Sequence, residues 1–366
     1  MTVATGVAKL VAFKKESYLA NIVTVSTTGG TYLRRVSSDI DLSKDVYASN
    51  EIRSDYQVGD VRHGMRKVGG TVKGELSPGG YSAFIGSLLR KDWVTAPTTV
   101  GVTSVTGASA GGGTFTLTRT AGSYLTDGFK LGQVARVTVG AAAITADINK
   151  TLFVVGVSAL ALIVVPRDGI FTSTAMTTVT ITAPGKYTWT PLTGHTSDSY
   201  SIEHYYSETA IAKSELFTGC RVNSAAFTLP ATGMATVDVN VLGVGFNEGF
   251  TGTAGAAVYA AALNTAQYFQ SSTAAGTAGL LTAVAGVIRV NSVLVANITG
   301  MNFTIEGGLT TGSVVGSNLT PDVFAGRVKV TGQLTAYFDG VTLRDLFVNE
   351  TTFGIEAVLY SDLALS

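Results

Sequence analysis

The sequence predicts a mainly β protein: a β-sandwich or barrel module with one or two short flanking helices, plus a small inserted all-β domain. Three observations predict it. Thr, Val and Gly alternate with period two over several runs, the signature of strands with one dry and one wet face. Only two short stretches carry a helical apolar stripe. The stretch 98–185 holds strand-like runs separated by Gly and Pro punctuation.

The elements follow in chain order. In Val68–Leu76, Val68, Gly70, Val72, Gly74 and Leu76 share one face, and Thr71, Lys73 and Glu75 the other. Ser77-Pro78 then offers an N-cap and first-turn pair. Behind it Tyr81, Phe84, Ile85, Leu88 and Leu89 form an apolar stripe. Burying five such side chains contributes about 8–15 kcal/mol gross, more than the ~1 kcal/mol cost of each of Gly79 and Gly80. This helix is expected to dock on the sheet. Within the insert, strands are expected at Thr114–Thr118, Gln133–Val139, Leu152–Val157, Ala161–Val165 and Thr177–Thr182. The flanks, 1–97 and 186–366, would then form one discontinuous domain.

Farther on, Val237, Val239 and Val241 oppose Thr236, Asp238 and Asn240 in Thr236–Gly243. Asn302–Glu306 turns Phe303 and Ile305 inward. In Val328–Tyr337, Val328, Val330, Leu334 and Ala336 oppose Lys329, Thr331, Gln333 and Thr335. Asp339 could cap a second helix with Leu343, Leu346 and Phe347 on its apolar side. Gly249–Ile305 carries one charge, Arg289, among Ala, Gly, Thr and Ser, and reads as interface-lining loop and strand. A weak internal repeat links the two helices. Val72-Lys73-Gly74-Glu75-Leu76 and Val330-Thr331-Gly332-Gln333-Leu334 each precede a turn and a short amphipathic helix.

Composition excludes several function classes. The 366 residues hold 25 basic and 25 acidic side chains, and only 14% of the chain is charged. Mean hydropathy is +0.33. Disorder requires the opposite balance, and gripping nucleic acid through its phosphates requires a basic excess. The longest apolar run, Leu152–Val165, is shorter than the ~20 residues of a spanning helix. Lys9, Lys14 and Lys15 interrupt the N-terminus, so no secretory signal is expected. One cysteine, Cys220, forbids an intrachain disulfide. A chain so poor in charge is expected to cover much of its surface with other subunits.

No constellation carries chemistry, so no catalytic residue, metal site or cofactor is expected. His63, His195 and His204 lack metal-ligand spacing. His195, Ser197 and Asp198 lie in one polar turn, whereas a triad is assembled across a fold. Cys220 sits among apolar strand residues and reads as structural. Gly243-Val244-Gly245-Phe246-Asn247-Glu248-Gly249 has the wrong glycine spacing for a dinucleotide loop. The charged exception is Glu51–Lys67. It is either a solvated hairpin or a loop whose mixed charges set register against a neighbouring subunit. Two other classes stay open at this level. One is a secreted or virion-surface binding module, with 98–185 as its carbohydrate- or cell-binding part. The other is a hydrolase, which no acidic pair favours.

The residues that remain resemble a family. Ser49-Asn50-Glu51-Ile52-Arg53-Ser54-Asp55 through His63-Gly64, and Gly70–Tyr81 with its Gly-Glu-Leu-Ser-Pro-Gly, are the first part of the likeness. Ser201-Ile202-Glu203-His204, Phe217–Ser224 and Val330–Phe338 complete it. In this order the chain resembles the major tail tube proteins of long-tailed, non-contractile (siphovirus-type) bacteriophages. The resemblance implies a tail-tube-type β-sandwich with a flanking helix, assembled as hexameric rings stacked into a tube through which double-stranded DNA leaves the virion. It also implies partners at the tube's core and ends, the tape measure protein and the tail terminator and tip proteins, and no membrane. Synthesis would take place in the host cytoplasm. Glu51, Arg53, Asp55, Asp60, Arg62 and His63 match the family's loop that reaches an adjacent ring. The insert departs from the minimal module and is similar to extra β domains carried outside the tube.

DNA must slide, so a tube wall must not hold phosphates. The polar strand faces carry Glu75, Asp238 and Glu306 against Lys73 and Lys329. That is three acids minus two bases, a net −1 per subunit and a weakly repulsive wall if these residues face the lumen.

Overall fold

The computed structural model describes residues 8–17, 29–57, 59–95, 98–111, 113–141, 145–166, 170–207 and 213–246. Beyond these it describes 248–249, 258–259, 267, 269, 273–274, 279–283, 286–290, 293–294, 297–337, 340 and 342–359. The chain is mainly β. Before the insert come β1 (Lys9–Lys15), β2 (Thr31–Tyr32), β3 (Ser37–Ser38), β4 (Asp41–Ala48), β5 (Val61–Glu75), α1 (Ser82–Leu89) and β6 (Val94–Thr95). The insert contributes β7 (Thr98–Gly111), β8 (Thr114–Arg119), β9 (Val134–Ala141), β10 (Leu152–Val157), β11 (Ala161–Pro166) and β12 (Ala175–Thr182). Then follow β13 (Lys186–Tyr187), β14 (Tyr200–Tyr206), β15 (Lys213–Pro230), β16 (Thr236–Gly243), β17 (Gly245–Phe246), β18 (Glu248–Gly249), β19 (Val258–Tyr259) and β20 (Thr273–Ala274). The last part holds β21 (Gly286–Val290), β22 (Val293–Leu294), β23 (Ile298–Glu306), β24 (Thr310–Thr311), β25 (Val323–Phe324), β26 (Lys329–Ala336), α2 (Thr342–Val348) and β27 (Ile355–Leu359).

β15 organises the main body because it serves two sheets. Its first half pairs with β14, which continues to β1, β2 and β20. Its second half lies between β16 and β23, and the sheet extends through β5 to β3 and β4 on one side and to β26 on the other. The ladder partner changes from β14 at Cys220 to β16 at Arg221. Gly219, at φ +63°, supplies the left-handed turn that lets the strand change sheets without a Cβ clash. Its N–H donates to Glu16 Oε1 at 2.9 Å. The core lies between the sheets and gathers Phe13, Val72, Tyr200, Ile202, Phe217, Val237, Val239 and Val241.

Helix α1 closes this core. Phe84 is 1% exposed and packs on Phe13 and Tyr200 with ring centroids 4.6 and 5.3 Å away. Tyr81 and Leu88 are also buried, and Ile85 and Leu89 pack half-buried against the same cluster. The N-cap is not Ser77. The helix begins after Tyr81, which makes no side-chain cap. Ser77 instead starts a turn, with Gly80 N–H donating to Ser77 O at 3.1 Å. Gly79, at φ +80°, and Gly80 favour the turn over the helix and delay it by one turn.

The second helix, α2, stands where the sequence placed it but packs differently from α1. Asp339 lies outside the described residues. Leu343 and Leu346 are only half-buried and Phe347 is 83% exposed, so among the described residues its stripe joins no core cluster. Val330, expected inward, sits on the core side of β26 opposite Ile305, yet is 63% exposed. Nothing described in this chain covers that end of the sheet. Of Gly249–Ile305, only Gly249 of β18, β19 to β22, the run 279–283, most of β23 and a few single residues are described.

Between β6 and β13, which pair as a two-stranded stem, β7 to β12 form a closed barrel in the order β10-β11-β8-β7-β12-β9. Its own core holds Leu117, Tyr124, Phe129, Val154, Leu162 and Met176. β7 escaped the sequence reading because its TTVGVTSVTGASAG run carries too few large apolar residues to show alternation. Closure leaves no exposed edge in this barrel.

Candidate assembly surfaces

The ladder registers place all five charged wall candidates on one face. Across the sheet Glu75 opposes Thr236, Lys73 opposes Asp238, and Thr71 opposes Asn240. The row continues from Asp238 through Ala226 to Thr304 and Thr331, and from Ser224 through Glu306 to Lys329. Because strand side chains alternate, this face is the reverse of the one carrying Val72, Val237, Val239, Ala225 and Ile305. It is half-buried at its middle and exposed on β26. Hydroxyls and amides dominate it: Thr71, Thr236, Ser224, Thr228, Asn302, Thr304, Thr331, Gln333 and Thr335. The Lys73 ammonium lies 3.4 Å from the Asp238 carboxylate, and Lys329 faces Glu306 in register. Each lysine is thus offset by an acid on the neighbouring strand.

The six loop candidates form the tip of a two-stranded arm. β4 and the first half of β5 pair from Asp41↔Gly69 to Ala48↔Val61. Glu51, Arg53, Asp55 and Asp60 lie in the connection, and Arg62 and His63 open β5; all six are exposed. The charges pair locally: Arg53 with Asp55 at 3.2 Å and Arg62 with Asp60 at 2.6 Å. Lys67 reaches Asp45 at 2.8 Å across the ribbon. Val46, Tyr47, Ile52, Tyr56 and Val61 are exposed beside them. An isolated ribbon of this kind is marginal in water, and its apolar side chains are suited to a partner surface.

Sequence reasoning read β23 and β26 as strands but missed that, with β24 and β25, they form a second arm, in which β24 pairs with β25. It lies against the first: Arg66 N–H donates to Asn318 O at 2.8 Å, and Thr320 Oγ1 donates to Arg66 O at 3.2 Å. The repeated Val-x-Gly-x-Leu pentapeptide was the signal that could have found it.

The remaining polar candidates are structural. His204 is buried; its Nε2 is 2.9 Å from Ser38 Oγ, a contact that ties β14 to the root of the first arm. Burial, together with the positive charges of Lys9 and Arg35, pushes its pKa down to about 3. Cys220 is buried and free, and burial pushes its thiol far up. Glu16 accepts from Ser199 Oγ and Ser201 Oγ at 2.6 and 2.7 Å. In the barrel, burial alone would raise Asp147, but bonds from Lys150, Ser173 and Thr172 outweigh it and hold the carboxyl well below its usual range. Among the described residues, no group of three or more His, Cys, Asp or Glu could hold a metal ion, and no helix is long and apolar enough to cross a membrane.

No curated protein matches the chain. A family model described as a phage tail tube protein matches residues 6–365. That match takes in both arms, both sheets and the inserted barrel, so the chain belongs to the phage tail tube protein family, a structural family of the virion tail.

Proposed function

We propose that this chain is the ring subunit of the tail tube of a long-tailed, non-contractile phage. Copies close side by side into rings; the resemblance implies hexameric ones. The rings stack through the first arm, and the polar sheet face lines the conduit for genome ejection. The observation that carries this reading is the sharing of one open sheet face by Lys73, Glu75, Asp238, Glu306 and Lys329. A surface of paired charges and hydroxyls offers a duplex no free cation cluster, so few counterions are released on contact and DNA is not retained. The tape measure protein would occupy this lumen before DNA, and terminator and tip proteins would cap the two ends. The barrel of 98–185 would sit on the tube exterior.

Electron microscopy of the purified full-length protein tests the reading. Stacked rings or tubes, with the β5–β16–β15–β23–β26 face toward the axis, are the expected result. A dispersed monomer at high concentration, or this face on the outside of the tube, would overturn it.

A further inference from the structure

The two halves of the main body repeat one topology. In the first, the order is β1, β2, β4, β5, α1, β14; β1 pairs with both β14 and β2, and β4 pairs with β5. In the second, the order is β21, β22, β23, β26, α2, β27; β21 pairs with both β27 and β22, and β23 pairs with β26. All six pairings are antiparallel. The shared pentapeptide falls on the returning strand of each arm: Val72–Glu75 close β5 with Leu76 just beyond it, and Val330–Leu334 lie within β26. The barrel is spliced between α1 and β14, at the position where α2 runs directly to β27. The sequence repeat is therefore the trace of a duplicated unit.

The copies differ in how they are finished. In the first, β5 is flanked by β4 and β16, and Val72 and Phe84 are buried beneath the completed sandwich. In the second, β26 pairs only with β23 among the described residues. On its core side Val330 is 63% exposed, and Phe347 of the helix that follows, α2, is 83% exposed. The opposite margin of the same sheet, Val36 to Leu42 beside β5, is equally unpaired on its outer side among the described residues, and Val36 is 67% exposed. The two margins fit each other. The six strand positions alternate in direction, so β26 meets the β3–β4 margin of a second copy antiparallel, like every other neighbour in the sheet. Pairing removes both edges.

Resting on the tube reading above, we infer that each chain contributes two tube-type units in tandem, and that three chains close a ring of six units through a junction between β26 and the β3–β4 margin. Strand count agrees. Six positions per chain make eighteen strands in a ring of three and thirty-six in a ring of six. With strands ~4.8 Å apart and tilted ~40°, eighteen close at a backbone diameter of about 36 Å, and side chains leave a bore of about 26 Å. Thirty-six would open it to about 70 Å between backbones, far more than one duplex uses.

Native mass spectrometry of rings released from the full-length protein, with axial electron micrographs, tests this. The expected ring mass is three times 37.8 kDa, with threefold symmetry and six lobes. Rings of six chains would overturn the inference and leave the tube reading intact, whereas the absence of any ring would sink the tube reading itself. Val330→Lys and Val36→Lys place a charge on either margin. Each alone should remain a folded monomer by circular dichroism, and an equimolar mixture should stop at dimers, each variant having one sound margin. Ring closure by either variant alone would refute the junction. Should one variant fail to fold, the other alone decides: monomer supports the junction and ring refutes it.

Discussion

At the residue scale, His204 shows how burial turns a side chain into a stability determinant. It is held neutral by desolvation first and by Lys9 and Arg35 next, with its Nδ1 3.9 Å from Glu215. Its folded pKa of about 3 lies below the unfolded value near 6.5. The unfolded chain therefore takes the proton first. The contribution is complete above about pH 6.5 and is lost as pH falls toward 3, at up to ~1.4 kcal/mol per pH unit. Glu215, raised by burial, acts in the opposite direction, so the comparison must be made against His204→Gln. That variant should show a flatter fall of urea midpoint between pH 6.5 and 5 than the parent; parallel curves would refute the assignment. Asp147 makes a second residue-scale case. Asp147→Ala would strand the Lys150 ammonium, which stands 2.8 Å away and is 15% exposed, together with the Ser173 and Thr172 donors. A loss of ~2–4 kcal/mol is expected for the barrel, read as a lower thermal midpoint.

At the element scale, the same pattern of strand, turn and helix has two fates. α1 is held by Phe84 at the centre of an aromatic cluster. Phe84→Ala should cost about 3–5 kcal/mol of subunit stability; a denaturation shift worth less than about 1 would place α1 outside the core. α2 carries a comparable stripe that finds no core among the described residues, where the strands that complete the first unit have no counterpart beside it. Amphipathic periodicity therefore identified both helices and could not say which would be covered. The first arm is the other element with an unfinished surface. Deleting Asp55–Arg62 should leave the far-ultraviolet spectrum and ring formation intact and shorten or abolish tubes in micrographs. Long tubes from that variant would remove the arm from stacking.

At the scale of the whole molecule, the barrel and the main body have separate cores joined by the β6–β13 stem. Joining 97 to 186 through a short linker should therefore leave tube formation intact, and loss of rings would make the barrel structural. Local chemistry determined the β class, the polar face and the charged tip of the first arm, together with β16, β23, β26, β5 from Val68 onward and the strands of the insert except β7, because period-two alternation and charge clustering are properties of neighbouring residues. It left β15 and β7, two of the three longest strands, unread. It also held the trace of duplication in five residues. Only tertiary structure decided that β15 would turn at Gly219 to serve two sheets, that Glu75, Asp238 and Glu306 would meet Lys73 and Lys329 on one surface, and that Val330 would be left open to water. Those outcomes depend on which strands pair across long stretches of chain, and pairing is settled by the global competition to bury apolar faces and satisfy edges, not by any local run of residues.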